Sequence, residues 1–83
     1  MLNDTIVAIS TPSGRAGIGI IRISGKFAIS VAQNVTNKNL TDRKPTLCDI
    51  RDRNNQILDE AIVILYSTPR SYTGEDLIEI QCH

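Results

Sequence analysis

One stretch of this chain carries helical periodicity, and it is flanked by short runs rich in β-branched residues. Ala28, Val31, Ala32 and Val35 recur at three- and four-residue intervals, with Phe27 one turn from Val31, which predicts an amphipathic helix over about residues 26–37 with Ser24 or Gly25 near its cap. Before it, residues 5–10 (Thr-Ile-Val-Ala-Ile-Ser) read as a strand that stops at the loop Thr11-Pro12-Ser13-Gly14. Residues 18–23 are almost wholly apolar apart from Arg22 and read as a strand covered on both faces. After a polar, turn-like segment at 37–44, residues 46–51 and 57–66 flank Asp-Arg-Asn-Asn-Gln, a loop of hairpin length. A second polar loop, 66–74, leads to a final strand in which Leu77, Glu79 and Gln81 share one face and Ile78, Ile80 and Cys82 the other. The expected order is ββαβββ, a small α/β (α+β) domain with a mixed sheet. The last strand ends in mid-pattern, so its apolar edge is expected to be exposed and the 83 residues to be the front part of a longer domain, marginally stable or self-associating when alone.

Size and charge restrict what such a domain can do. A chain this short buries roughly 60–65% of the surface it exposes when unfolded, which allows a modest core. The longest apolar run, residues 61–66, is far too short to cross a bilayer, and the N-terminus has no basic or long apolar segment of a secretory signal, so a cytoplasmic location without membrane contact is expected. Nine basic residues balance nine acidic ones, which leaves no electrostatic footprint for wrapping nucleic acid. Arg15, Lys26, Arg43, Lys44, Arg51, Arg53 and Arg70 read as scattered, solvated charges. Cys48 and Cys82 fit neither a metal nor a redox spacing and read as reduced, buried hydrophobes; a Cys82/His83 site is disfavoured because neighbours on a strand point to opposite faces.

Four of the five glycines fall between Gly14 and Gly25. Neither the dinucleotide fingerprint nor the P-loop pattern is met, and these glycines lead into a strand rather than into a helix N-terminus that could hold an anion. Gly17 and Gly19 therefore remove side chains either where two strands pack or where a ligand approaches; the sequence leaves both open.

Arg22 and Glu79 each interrupt an apolar strand, where burial without a partner costs several kcal/mol. They either lie on a solvated face, pair with one another across the sheet, or hold a planar heteroaromatic ligand, since a carboxylate accepts two parallel N–H bonds and a guanidinium clamps an oxygen in the same planar way. Spacing does not choose among these.

The motifs DTIVAISTPSGRAGIGIIRISG (4–25) and SYTGEDLIEIQCH (71–83) resemble the two signatures of the N-terminal domain of the tRNA-modification GTPases MnmE or TrmE, in the same order and spacing. Leu58 and Asp59 resemble the family's middle segment. This resemblance implies a fold similar to part of the tetrahydrofolate-binding domain of aminomethyltransferases, homodimerisation, and binding of 5-formyl-tetrahydrofolate as one-carbon donor. It implies that Arg22 and Glu79 contact the folate, with Glu79 on the pterin N–H edge, and that a third contact, a lysine, lies beyond residue 83. Tyr72, in a segment that otherwise reads as a polar turn with Gly74 at positive φ, would line the pocket or the dimer contact. The larger family protein adds a GTPase domain using GTP, magnesium and potassium. With a flavin-containing partner of the MnmG/GidA type, it places an aminomethyl-type group at C5 of the wobble uridine of tRNA. Residues 1–83 contain no P-loop, so no catalysis is expected of them alone. The competing expectation is a structural or dimerisation domain whose ligand site does not function.

Overall fold

The computed structural model describes residues 5–9, 19–68 and 74–82. These form strands β1 (Ile6–Ile9) and β2 (Gly19–Ser24), helix α1 (Ala28–Thr36), and strands β3 (Thr46–Arg51), β4 (Ile57–Tyr66) and β5 (Leu77–Cys82). The order ββαβββ is as expected. The strands build one five-stranded sheet in the spatial order β1-β2-β5-β4-β3, and each ladder is antiparallel. The mixed character expected from the sequence is confined to an isolated parallel bridge between Asp42 and Leu65.

The place of β5 corrects the expectation of an exposed final edge. This strand lies in the middle of the sheet, bonded to β2 on one side and β4 on the other, while β1 and β3 form the edges. Its composition suits that place: Leu77, Ile78 and Ile80 are buried although they point to opposite faces, and in the middle of the sheet side chains of β2 and β4 flank them on both sides. Position in the chain does not set position in the sheet.

Helix α1 covers one face. Cross-strand rows Ile21–Ile80–Val63 and Ile23–Ile78–Leu65 run across β2, β5 and β4, and Ala28 and Ala32 of the helix are completely buried against this cluster. Alanine at both contact positions lets the helix axis approach the sheet closely. At the helix end Thr36 is buried, with its hydroxyl donating to the Ala32 carbonyl (2.7 Å) and accepting from the Lys38 N–H (3.2 Å). Asn37 closes the helix in the left-handed region (φ 56°) and donates its N–H to the Gln33 carbonyl at 2.8 Å.

The helix falls within the expected range, and its N-cap is Phe27, without a side-chain cap, two residues after Gly25. Gly25 turns the chain out of β2 at φ 138°, donating its N–H to the Asp76 carbonyl (3.0 Å) and accepting from Ala28 (3.2 Å). The Phe27 N–H is taken by the Thr5 hydroxyl at 2.9 Å, its carbonyl accepts from the Val31 N–H one turn on (3.0 Å), and the residue is 55% exposed.

Two connections are held by aspartates. In the expected hairpin, Asp52 Oδ1 accepts from the N–H groups of Asn54 (2.8 Å) and Gln56 (3.0 Å), and Asn55 adopts φ 65°. Between α1 and β3, Asp42 Oδ1 accepts the Ser67 N–H at 2.8 Å just beyond β4, and Oδ2 lies 3.0 Å from Arg43 Nη1. Arg43 donates its N–H to the Leu65 carbonyl (2.7 Å), and its guanidinium stands 5.6 Å from the Tyr66 ring centroid. Arg43 is therefore part of a clamp rather than a scattered solvated charge. Arg51 also has partners, Asp49 at 3.7 Å and the Asn55 carbonyl at 3.2 Å.

Two measurements check this architecture. Ile78→Ala, at a fully buried position of the central strand, is expected to cost about 3 kcal/mol in urea unfolding, whereas Val7→Ala on the edge, 63% exposed, is expected to change stability by less than about 0.5 kcal/mol. The Ser67 N–H, with help from Arg43, holds the Asp42 carboxyl below its ordinary value of 3.8. Its stabilisation is complete above that value and drains away as the pH falls toward the lower folded value. The stability difference between wild type and Asp42→Asn is thus expected to be largest near neutral pH and to shrink below about pH 4.

Candidate functional site: a charge pair at the centre of the sheet

Alternation along each strand places Arg22 and Glu79 on the face opposite α1. They are directly opposed in the β2–β5 register, in a row that runs Ala8–Arg22–Glu79–Ile64 across four strands. Arg22 Nε lies 3.3 Å from Glu79 Oε2. The Arg22 side chain is 41% exposed and that of Glu79 only 9%, so the pair has one foot in solvent and one in the sheet. Of the three arrangements open in the sequence, the structure has the cross-sheet pair.

Glu79 has a second donor that sequence reasoning missed as a site residue: Gln81 Nε2 lies 3.0 Å from Oε1. The available signal was spacing, because residues two apart on a strand share a face. One row away on the same face, the Ser24 hydroxyl reaches Glu75 Oε2 at 3.4 Å. Leu77 and Ile64, both buried, complete the apolar surroundings of the pair. Among the described residues, every buried side-chain nitrogen and oxygen has a hydrogen-bond partner.

The other candidates fall elsewhere. Gly19 starts β2 opposite Cys82, and its parity with Ile21 and Ile23 puts its missing side chain on the helix side, away from Arg22. A Cβ there would meet the Cys82 carbonyl and Sγ at 3.9 Å, ordinary van der Waals contact, so strand packing alone does not require glycine at this position. Gly17 and Tyr72 lie outside the described residues, as does His83. Gly74 has φ 75°, as the turn reading expects. Both described cysteines are free; Cys48 is buried, which pushes its thiol up from the ordinary value, and Cys82 is half-buried with Sγ 3.6 Å from the Gly19 carbonyl. Among the described residues, no three metal-ligating side chains cluster and no helix is long and apolar enough to cross a membrane.

The ion pair lies on the sheet face opposite the helix, in a small α/β domain whose sheet is antiparallel. Residues 5–83 match the family described as GTP-binding protein TrmE N-terminus, and the chain belongs to that family. Its relatives include the tRNA modification GTPase MnmE of Francisella philomiragia, 54% identical over 80 residues that make up 96% of this chain and 18% of that protein. The tRNA modification GTPases MnmE of Francisella tularensis subsp. novicida and subsp. tularensis (strain SCHU S4) match over the same shares at 54% and 52% identity. The chain thus spans less than a fifth of the length of these curated relatives.

Removing one partner of the pair leaves the other charge short of a ligand. Arg22→Met is expected to lower stability in urea unfolding by about 1–2 kcal/mol, below the ~3–5 kcal/mol of a fully buried pair because the guanidinium is partly solvated.

Proposed function

We propose that these residues are the folate-binding and dimerisation part of a cytoplasmic, GTP-hydrolysing tRNA-modification protein that adds an aminomethyl-type group at C5 of the wobble uridine. Family membership supports the tRNA-modification setting, and the observation that carries the ligand reading is the Arg22–Glu79 pair itself. An isolated buried carboxylate is costly, but one already held by a guanidinium and an amide is prepared to accept planar N–H groups at little further desolvation cost. The ligand is 5-formyl-tetrahydrofolate. Its pterin edge donates to Glu79, and Arg22, whose side chain reaches solvent, contacts the ligand nearby. GTP, magnesium and potassium belong to the GTPase part of the protein, and the chemistry on tRNA to its work with a flavin-containing partner of the MnmG/GidA type. The role of residues 1–83 is to bind and orient the one-carbon donor and to join two subunits, not to catalyse.

A second reading has a specific observation in its favour. Arg22 Nε pairs directly with Glu79 Oε2, as in a purely structural or dimerisation domain.

Calorimetry on the intact protein separates the two. Under the folate reading, 5-formyl-tetrahydrofolate binds wild type, and Glu79→Gln weakens binding by about 1.5–3 kcal/mol, the worth of a charge-assisted hydrogen bond. Equal titrations of both proteins, or none in either, favour the structural domain.

A further inference from the structure

We propose that Gln81 is a positioning residue for the Glu79 carboxylate, and through it a third member of the ligand-reading set; the inference rests on the folate reading above. Among the described residues, Glu79 has four immediate neighbours in the sheet on its face. Across the strands these are Arg22 of β2 and Ile64 of β4, and along β5 they are Leu77 and Gln81. Two of the four are apolar, so only Arg22 and Gln81 can donate a hydrogen bond. Each takes a different oxygen: Arg22 Nε is 3.3 Å from Oε2 and Gln81 Nε2 is 3.0 Å from Oε1.

The division of labour matters because the terminal torsion of a glutamate is broad, and one donor leaves the carboxylate plane free to rotate. A second donor, approaching along the strand while the first approaches across it, sets that plane. An ionised carboxylate offers about four acceptor positions, so these two donors among the described residues do not exhaust its capacity for the N–H groups of a ligand. Affinity gained in this way comes from ordering done in advance rather than from new contacts.

The identity of residue 81 fits this role. An ionised carboxylate only accepts, so the amide must turn its nitrogen toward Glu79; the reverse orientation would set two acceptors against each other. An amide also donates without adding charge, and Arg22 already balances Glu79. The cross-strand neighbours of Gln81 are Ile20 and Ile62, an apolar setting in which a neutral donor costs less than a second cation.

The test uses the intact protein, four variants and two readouts. Gln81→Met keeps length and removes the donor, and it is expected to weaken 5-formyl-tetrahydrofolate binding about tenfold. Gln81→Lys restores a donor but adds a second cation, and is expected to bind more tightly than Gln81→Met and more weakly than wild type. In the unliganded protein, an NMR spectrum is expected to show a slowly exchanging Gln81 side-chain amide proton that becomes fast in Glu79→Met. Wild-type affinity in Gln81→Met, with Glu79→Gln still weakened, overturns the role of Gln81 and leaves the folate reading standing. Gln81→Lys binding no better than Gln81→Met, or a fast-exchanging amide in the unliganded wild type, also overturns it. Absence of binding by wild type, or indifference to Glu79→Gln, removes the folate reading and this inference together.

Discussion

Double-sided burial of β5 is the constraint on which the remaining structure rests. The strand has hydrogen-bonded neighbours on both sides. On one face Ile78 and Ile80 meet the core under α1, and on the other Leu77 and Glu79 are buried. In a chain this small, one central strand supplies a large part of the core, and the segments around it are arranged to cover it. The helix closes one face through two alanines. The connection from α1 to β3 is pinned back onto the end of β4 by Asp42 and Arg43, which keeps β4 aligned with β5.

The same constraint explains why a charge can stand at the centre of the sheet. Glu79 has to be on the face opposite Ile78 and Ile80, and that face is not covered by the helix. Its carboxylate is nevertheless largely removed from water, so it requires donors, and the register provides one from β2 while the pleat provides one from β5 itself. Arg22 bridges the two environments, with its stem over apolar strands and its side chain reaching solvent. The result is an ordered polar centre within an apolar sheet. A structural pair needs this arrangement, and so does a site that reads a planar ligand, which is why the geometry of the pair serves both readings.

The chain belongs to the TrmE N-terminal family and spans less than a fifth of the length of its relatives named tRNA modification GTPase MnmE. The separation of Gly19 from Arg22 is informative in that setting. Although three residues apart in a glycine-rich segment, they serve opposite faces of the sheet, so the glycines and the charge pair need not have one common purpose. Local density of unusual residues in a sequence is not by itself a site.

Much of the fold was legible from residue pattern. Short β-branched runs, one stretch of helical spacing, the Asp52 to Gln56 turn and the faces of the last strand follow from local periodicity, which depends only on neighbours in the chain. The two interrupting charges, Arg22 and Glu79, were also visible, because a charge within an apolar run must be satisfied somewhere. Sequence did not show that β5 is central, that Arg22 and Glu79 are directly opposed, or that Gln81 supplies the second donor. It also left Arg43 among the solvated charges. These depend on which strands pair and in what register, and pairing is decided by the total burial achieved by segments distant in the chain. Local pattern states what each segment must hide; only the assembled sheet determines what it hides against.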